Sequence, residues 1–358
     1  MKRESAIPVL TAAMVILVGV VASGAAGCGG ERGSRMVTME PPQIPASETV
    51  SAAAAYRLPA SPSTAEKSTD RLLGPVLAAY SLERQFAHIE ELASDRYQGR
   101  RTGSAGARAA ASYISAEFAT LGLKPWSEIG LDGFSHNFSL GGFSDDNIIG
   151  VLPGTGSGYV ILAAHYDHLG IDSSGSVFNG ADDNAAGVAA MLEAARIISQ
   201  TGMHPVKNVV FCAFSGEEQG QLGASALGAL ISSRGLAGSV EMINIDGIGA
   251  VGGSYFGIWD QGAVNTGPLV ASLREAADRL GAPVREEGTD VGSDARPFVW
   301  QFGIAAVTVD WHWGTDESEF HPYYHTVDDT PEKINQDVLA QASKVAIGGL
   351  WLRAAAAS

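Results

Sequence analysis

Five short stretches of the chain gather the side chains that bind divalent metals. HYDH runs from His165 to His168, SGEE from Ser215 to Glu218, and DGIG from Asp246 to Gly249. NGADDNAAG spans Asn179 to Gly187, and FHPYYHTVDDTPEKI carries His321 and His325. The first three each follow an apolar run directly: YVILAA, NVVFCAF and VEMINI. The adjacent acids Glu217 and Glu218 therefore stand where a buried strand ends. Like charges side by side repel, and charge beside a core is costly unless paired or bound to metal. An oxygen and nitrogen donor set of this kind suits zinc, and also manganese or cobalt. Asp182 and Asp183 precede a helical pattern, so helix capping competes with metal binding there.

The elements that must position these residues alternate. NIIGVL, YVILAA, NVVFCAF, VEMINI and IAAVTV have the texture of strands, and SYFGIW also reads as one. Helical spacing marks ERQFAHIEELAS, SAGARAAASYISAEFATLGL up to Gly122, residues 183–200, a segment near 219–232, residues 266–280, and the C-terminal segment. Apolar strands alternating with helices predict an α/β fold, a mostly parallel twisted sheet sandwiched between helices. In such sheets the site forms beyond the carboxyl ends of the strands, where HYDH, SGEE and DGIG fall.

AAHYDHLG, NGADDNAAGVAAMLEAAR, FSGEEQGQLGA, NIDGIG and YYHTVDDTPEKI together resemble the M28 family of co-catalytic zinc aminopeptidases, in the same order and spacing. RYQGRRTGSAGARAAASYI resembles that family's lead-in, and GSDARPF its SDHxPF segment, with Ala295 in place of the His. The resemblance covers residues 72–358 and implies a hydrolase that removes N-terminal residues from peptides with two zinc ions. By position, it gives His165 and Asp246 to one zinc, Glu218 and His325 to the other, and Asp182 to both. It makes Glu217 the general base. Asp167 would accept a hydrogen bond from the second ring nitrogen of His165, and a non-proline cis peptide would follow Asp182. Three carboxylates set against two divalent ions would relieve the mutual repulsion that metal-free acids suffer. Alternatives on the same scaffold are a carboxypeptidase or dipeptidase, and a glutaminyl-peptide cyclotransferase with one zinc. The full set of ligands favours two ions and argues against a non-enzymatic relative.

Acidic residues outnumber basic ones 39 to 23, for a formal charge of −16. There is no basic run for nucleic acid, which is excluded as a partner on that ground. Lys2 and Arg3 precede an uncharged stretch from Ser5 to Gly27 that contains MVILVGVV. AAGC then ends in Cys28 like a loose bacterial lipobox, so residues 1–28 are expected to be a signal peptide that exports the chain and leaves Cys28 lipid-anchored at the cell envelope; the competing readings are an ordinary cleaved signal peptide that secretes it and an uncleaved membrane anchor. Residues 29–71, rich in Pro, Ser and Ala, read as a tether, and residues 72–358 as the peptidase domain. Cys212 lies inside NVVFCAF and reads as a small buried hydrophobe. The GxGxxG at 247–252 precedes a strand rather than a helix, which removes the dinucleotide reading. Asp310, Trp311, His312 and Trp313 read either as pocket lining or as a packed aromatic loop. His168 lies close to the constellation without a place in the family's ligand set.

Overall fold

The computed structural model describes residues 64–288, 292–312 and 322–356, which fall within one compact unit, Ala60–Ser358. The expected signal peptide, Cys28, most of the tether, His321 and Trp313 lie outside the described residues. The tether is shorter than expected at its C-terminal end, because helix α1 (Thr64–Ala79) already begins at Thr64.

Ten strands are described. The main sheet comprises β1 (Ser135–Leu140), β2 (Phe143–Leu152), β3 (Tyr159–His165), β6 (Asn208–Phe214), β7 (Val240–Ile245), β8 (Tyr255–Trp259), β9 (Val284–Glu287) and β10 (Ala305–His312). Their order is β1-β2-β6-β3-β7-β10-β8-β9. The central run β6-β3-β7-β10 is parallel throughout, while β1-β2, β2-β6 and β10-β8 pair antiparallel. A small hairpin, β4 (Gly170–Ile171) with β5 (Val177–Phe178), lies in the loop after β3.

The central strands are apolar on both sides because both sides are covered. In β3, Val160, Leu162 and Ala164 belong to one core, while Ile161 and Ala163 belong to the other. In β6, Val209, Phe211 and Ala213 alternate in the same way with Val210, Cys212 and Phe214. This is the period-two burial of a strand between two layers. The larger core is closed by helices α3 (Ala105–Thr120), α4 (Gly187–Gln200), α6 (Gly267–Leu280) and α8 (Gln336–Ala355), with α2 (Leu82–Leu92) packed on α4. The opposite core is closed by α5 (Leu222–Ser233) and α7 (Ala295–Phe302). The free thiol of Cys212 is fully buried there, as a packing residue.

The topology sets the site. The chain leaves β3, crosses outward to β6, then returns past β3 to β7. Loops leaving β3 and β7 in opposite directions open a crevice at the carboxyl ends of the strands. Register places Phe214 beside His165, so SGEE emerges next to HYDH. None of the helices among the described residues is long and apolar enough to cross a membrane.

Candidate metal centre

Three strand ends deliver four groups. His165 is the last residue of β3, Asp246 follows β7, and Glu217 and Glu218 follow β6. Between β5 and α4 an irregular turn, 181–186, carries Asp183, whose backbone (φ −109, ψ 89) leaves the helical region before α4 begins. His325 enters from the loop before α8 with φ 56.

These side chains converge on the carboxylate of Asp183. Its Oδ1 lies 3.2 Å from His165 Nε2, which is also 3.2 Å from Asp246 Oδ1. Its Oδ2 lies 3.2 Å from His325 Nε2, which is also 3.2 Å from Glu218 Oε2. Two donor sets therefore share one carboxylate. Asp183 Oδ2 is buried and makes no hydrogen bond of good geometry among the described residues. Two ligands of one tetrahedral zinc, each at about 2.0–2.2 Å, stand about 3.3–3.5 Å apart, close to the four separations of 3.2 Å. The donor set, the spacing and the orphaned oxygen all fit a divalent ion on each side of Asp183.

Two expectations from sequence are corrected here. Asp182 is not the shared acid. Its Oδ1 accepts the Gly249 N–H at 2.5 Å, whereas Asp183 is the acid that meets His165 and His325, and the cis peptide follows Asp183 rather than Asp182. The reason lies in the turn. Asp329 accepts the N–H of Asp182 at Oδ1 (2.9 Å) and that of Asp183 at Oδ2 (3.1 Å), which fixes both backbones. With that clamp in place the second Asp, not the first, faces the imidazoles. Asp167 also differs from expectation. His165 Nδ1 meets the Asp167 backbone carbonyl at 3.1 Å, whereas the Asp167 carboxylate is 3.7 Å away. That carboxylate accepts Thr102 Oγ1–H (2.7 Å) and the Glu217 N–H (3.2 Å).

Glu217 is held at both ends: its N–H donates to Asp167 Oδ1, and its Oε1 accepts at 2.9 Å from Gln221 Nε2, which also donates to the Gly292 carbonyl. Burial pushes its carboxyl well above the usual carboxylate range. The nearby His165 opposes that rise, and Asp294 and Asp246 add to it. Burial alone would also raise Asp183, but His168, His165 and His325 hold it well below the usual range. Ser293 Oγ donates to Asp246 Oδ2 at 2.6 Å and accepts from Asn244 Nδ2, which orients the Asp246 carboxylate.

Sequence reasoning missed Arg100, Asp329, Ser293 and Asp294. Arg100 is fully buried, and burial lowers its guanidinium to about 10. It donates to the carbonyls of Tyr166, Leu92, Asn179 and Gly180, and so ties the HYDH and NGADDN segments together. The lead-in RYQGRRTGS carried the signal for both Arg100 and Thr102. Asp294 sits in GSDARPF, buried, and neither of its oxygens has a hydrogen-bond partner among the described residues. Asp310 and His312 meet at 3.2 Å near the end of β10, with the His312 ring packed between Tyr255 and Trp259.

Fold and site together define an α/β protein with a candidate metal centre at the carboxyl ends of its parallel strands. A family model described as "Peptidase family M28" matches residues 147–349, more than half of the chain, and the chain belongs to that family. Aminopeptidase YwaD of Bacillus subtilis (strain 168) is 30% identical over 201 residues, covering 54% of this chain and 40% of that protein. Leupeptin-inactivating enzyme 1 of Streptomyces exfoliatus is 25% identical over 292 residues, covering 77% and 62%. The chain thus spans less than two thirds of either relative. Among solved structures, the Legionella pneumophila LapA aminopeptidase matches with a TM-score of 0.66 at 18% identity, over 82% of this chain and 76% of that one. A Porphyromonas gingivalis glutaminyl cyclase matches with a TM-score of 0.63 at 22% identity, over 76% and 98%. At such identities these two establish the fold.

Proposed function

We propose that this chain is an exported metallo-aminopeptidase that removes N-terminal residues from peptides. In this reading His165, Asp183 and Asp246 hold one divalent ion, Asp183, Glu218 and His325 hold a second, and both ions are zinc. The observation that carries it is the Asp183 carboxylate, with one oxygen 3.2 Å from His165 Nε2 and the other 3.2 Å from His325 Nε2. When bound, such an ion pair lowers the pKa of a shared water and polarises the scissile carbonyl.

The protein's own part is to hold ligands in one protonation state and to move one proton. The Asp167 carbonyl fixes the hydrogen of His165 on Nδ1, so the lone pair of Nε2 faces Asp183 and Asp246. Gln221 occupies Oε1 of Glu217, which leaves Oε2 to take a proton from the attacking water. The same oxygen returns that proton to the leaving amine. No covalent bond to the protein forms. Export rests on residues 1–28, and fractionation tests it: Cys28→Ser should move the chain out of the membrane fraction, and an unchanged distribution would contradict the lipid anchor.

Metal analysis of the purified full-length chain tests the centre. Two zinc ions per chain are expected, with peptide hydrolysis lost on chelation and restored by zinc. Undiminished hydrolysis in the fully stripped protein would contradict the proposal. Cyclisation of N-terminal Gln peptides with release of ammonia, in place of hydrolysis, would move the assignment to a cyclase.

A further inference from the structure

His168 is fully buried one residue beyond Asp167, and its Nδ1 lies 2.8 Å from Glu218 Oε1 and 3.5 Å from Asp183 Oδ2. The first distance is that of a charge-assisted hydrogen bond. It is too short for two ligands of one ion, which the other nitrogens approach more closely at 3.2 Å. A carboxylate has no proton to give, so the hydrogen sits on His168 Nδ1. The two oxygens of Glu218 are thereby divided: Oε1 faces His168, and Oε2 faces His325.

The ring is locked from several directions. Its edge meets Phe178, with centroids 6.4 Å apart at 64°. Gly180, with φ 58, closes over the imidazole so tightly that a Cβ there would lie 2.6 Å from His168 Cδ2. The Gly180 carbonyl is in turn held by Arg100. A histidine kept in place this firmly, with Nε2 buried and without a hydrogen-bond partner among the described residues, has one polar contact to make.

We infer that His168 is a positioning residue for the Glu218 side of the metal centre, donating Nδ1–H to Glu218 Oε1 so that Oε2 alone is presented to the ion beside His325. The inference rests on the two-ion reading above. It makes His168 the outer partner of a carboxylate ligand, as the Asp167 carbonyl is of His165.

The test is stepwise zinc titration by calorimetry on wild-type chain, His168→Leu and His168→Asn, alongside thermal unfolding of the metal-free proteins. Asn offers Nδ2–H about where Nδ1–H stood. His168→Leu should weaken one of the two zinc-binding steps about 10–100-fold, the usual cost of losing an outer partner, and leave the other step unchanged. His168→Asn should recover most of that loss, even if both metal-free variants melt at the same temperature. Leu binding both ions as wild type does, in a wild type that binds two, would overturn the role of His168 alone. So would Asn as defective as Leu, the result expected if the imidazole itself were the ligand. A wild type that binds no second ion would overturn the two-ion reading, and the role of His168 with it.

Discussion

Glu217→Gln is expected to keep its zinc and lose peptide hydrolysis by about 10²–10⁴-fold, the usual contribution of a general base. The substitution preserves shape, and the new amide oxygen can still accept from Gln221. What it removes is the oxygen that takes a proton. Because that oxygen acts in the transition state and not in binding, kcat should fall while KM stays. Metal content and steady-state kinetics on the same preparation check this. Retained kcat would remove Glu217 from the chemistry, and lost zinc would show that it holds metal instead.

The second large effect separates two neighbouring acids. Asp183→Asn should lose zinc from both sides of the centre, because one carboxylate faces both histidines and an amide offers only one acceptor oxygen. The loss should exceed the factor of about 10–100 that follows removal of an outer hydrogen-bond partner. Asp182→Asn should keep its zinc and most of its activity, because the amide oxygen can still accept the Gly249 N–H. Zinc content of the two variants, measured side by side, decides it. The reverse pattern would restore Asp182 as the shared acid and contradict the geometry of the turn.

These two positions mark where sequence stops being sufficient. Strands β3, β6 and β7 were legible because each is apolar on both faces, and NVVFCAF and VEMINI matched the observed strands residue for residue. From those ends, the rim holding His165, Glu217, Glu218 and Asp246 followed directly. His325 followed from the family resemblance of its loop. Asp182 and Asp183 could not be separated in the same way. They are the same residue type one position apart, and which one faces the histidines depends on an irregular turn clamped by Asp329, nearly 150 residues downstream. Arg100 was hidden for a related reason. An arginine in a polar lead-in reads as surface, and only the tertiary structure gathers four carbonyls around it. Strands β1 and β9 are short and polar at the sheet edges, where SHNFSL and VREE carry little apolar alternation to read. His168 was noticed for its place in HYDH, but its partner Glu218 stands on a different strand end, and no spacing rule joins them.

The electrostatics favour metal over a purely protein-stabilised cluster. Asp183, Glu218 and Asp246 meet beside Glu217 in a buried crevice, and the buried cation Arg100 spends its donors on backbone carbonyls. Four carboxyl groups with three imidazoles facing them leave an excess of negative charge that protonation or divalent cations must relieve. Burial, with Asp294 and Asp246 adding to it, raises the Glu217 carboxyl, while the facing imidazoles of His168, His165 and His325 hold Asp183 low.

The measurement closest to the central claim compares two peptides that differ only at the N-terminus, one with a free amine and one N-acetylated, each incubated with the zinc-loaded full-length chain. Release of the N-terminal residue from the free peptide, with the acetylated one left intact, is the result this account predicts. Equal cleavage of both peptides would contradict it.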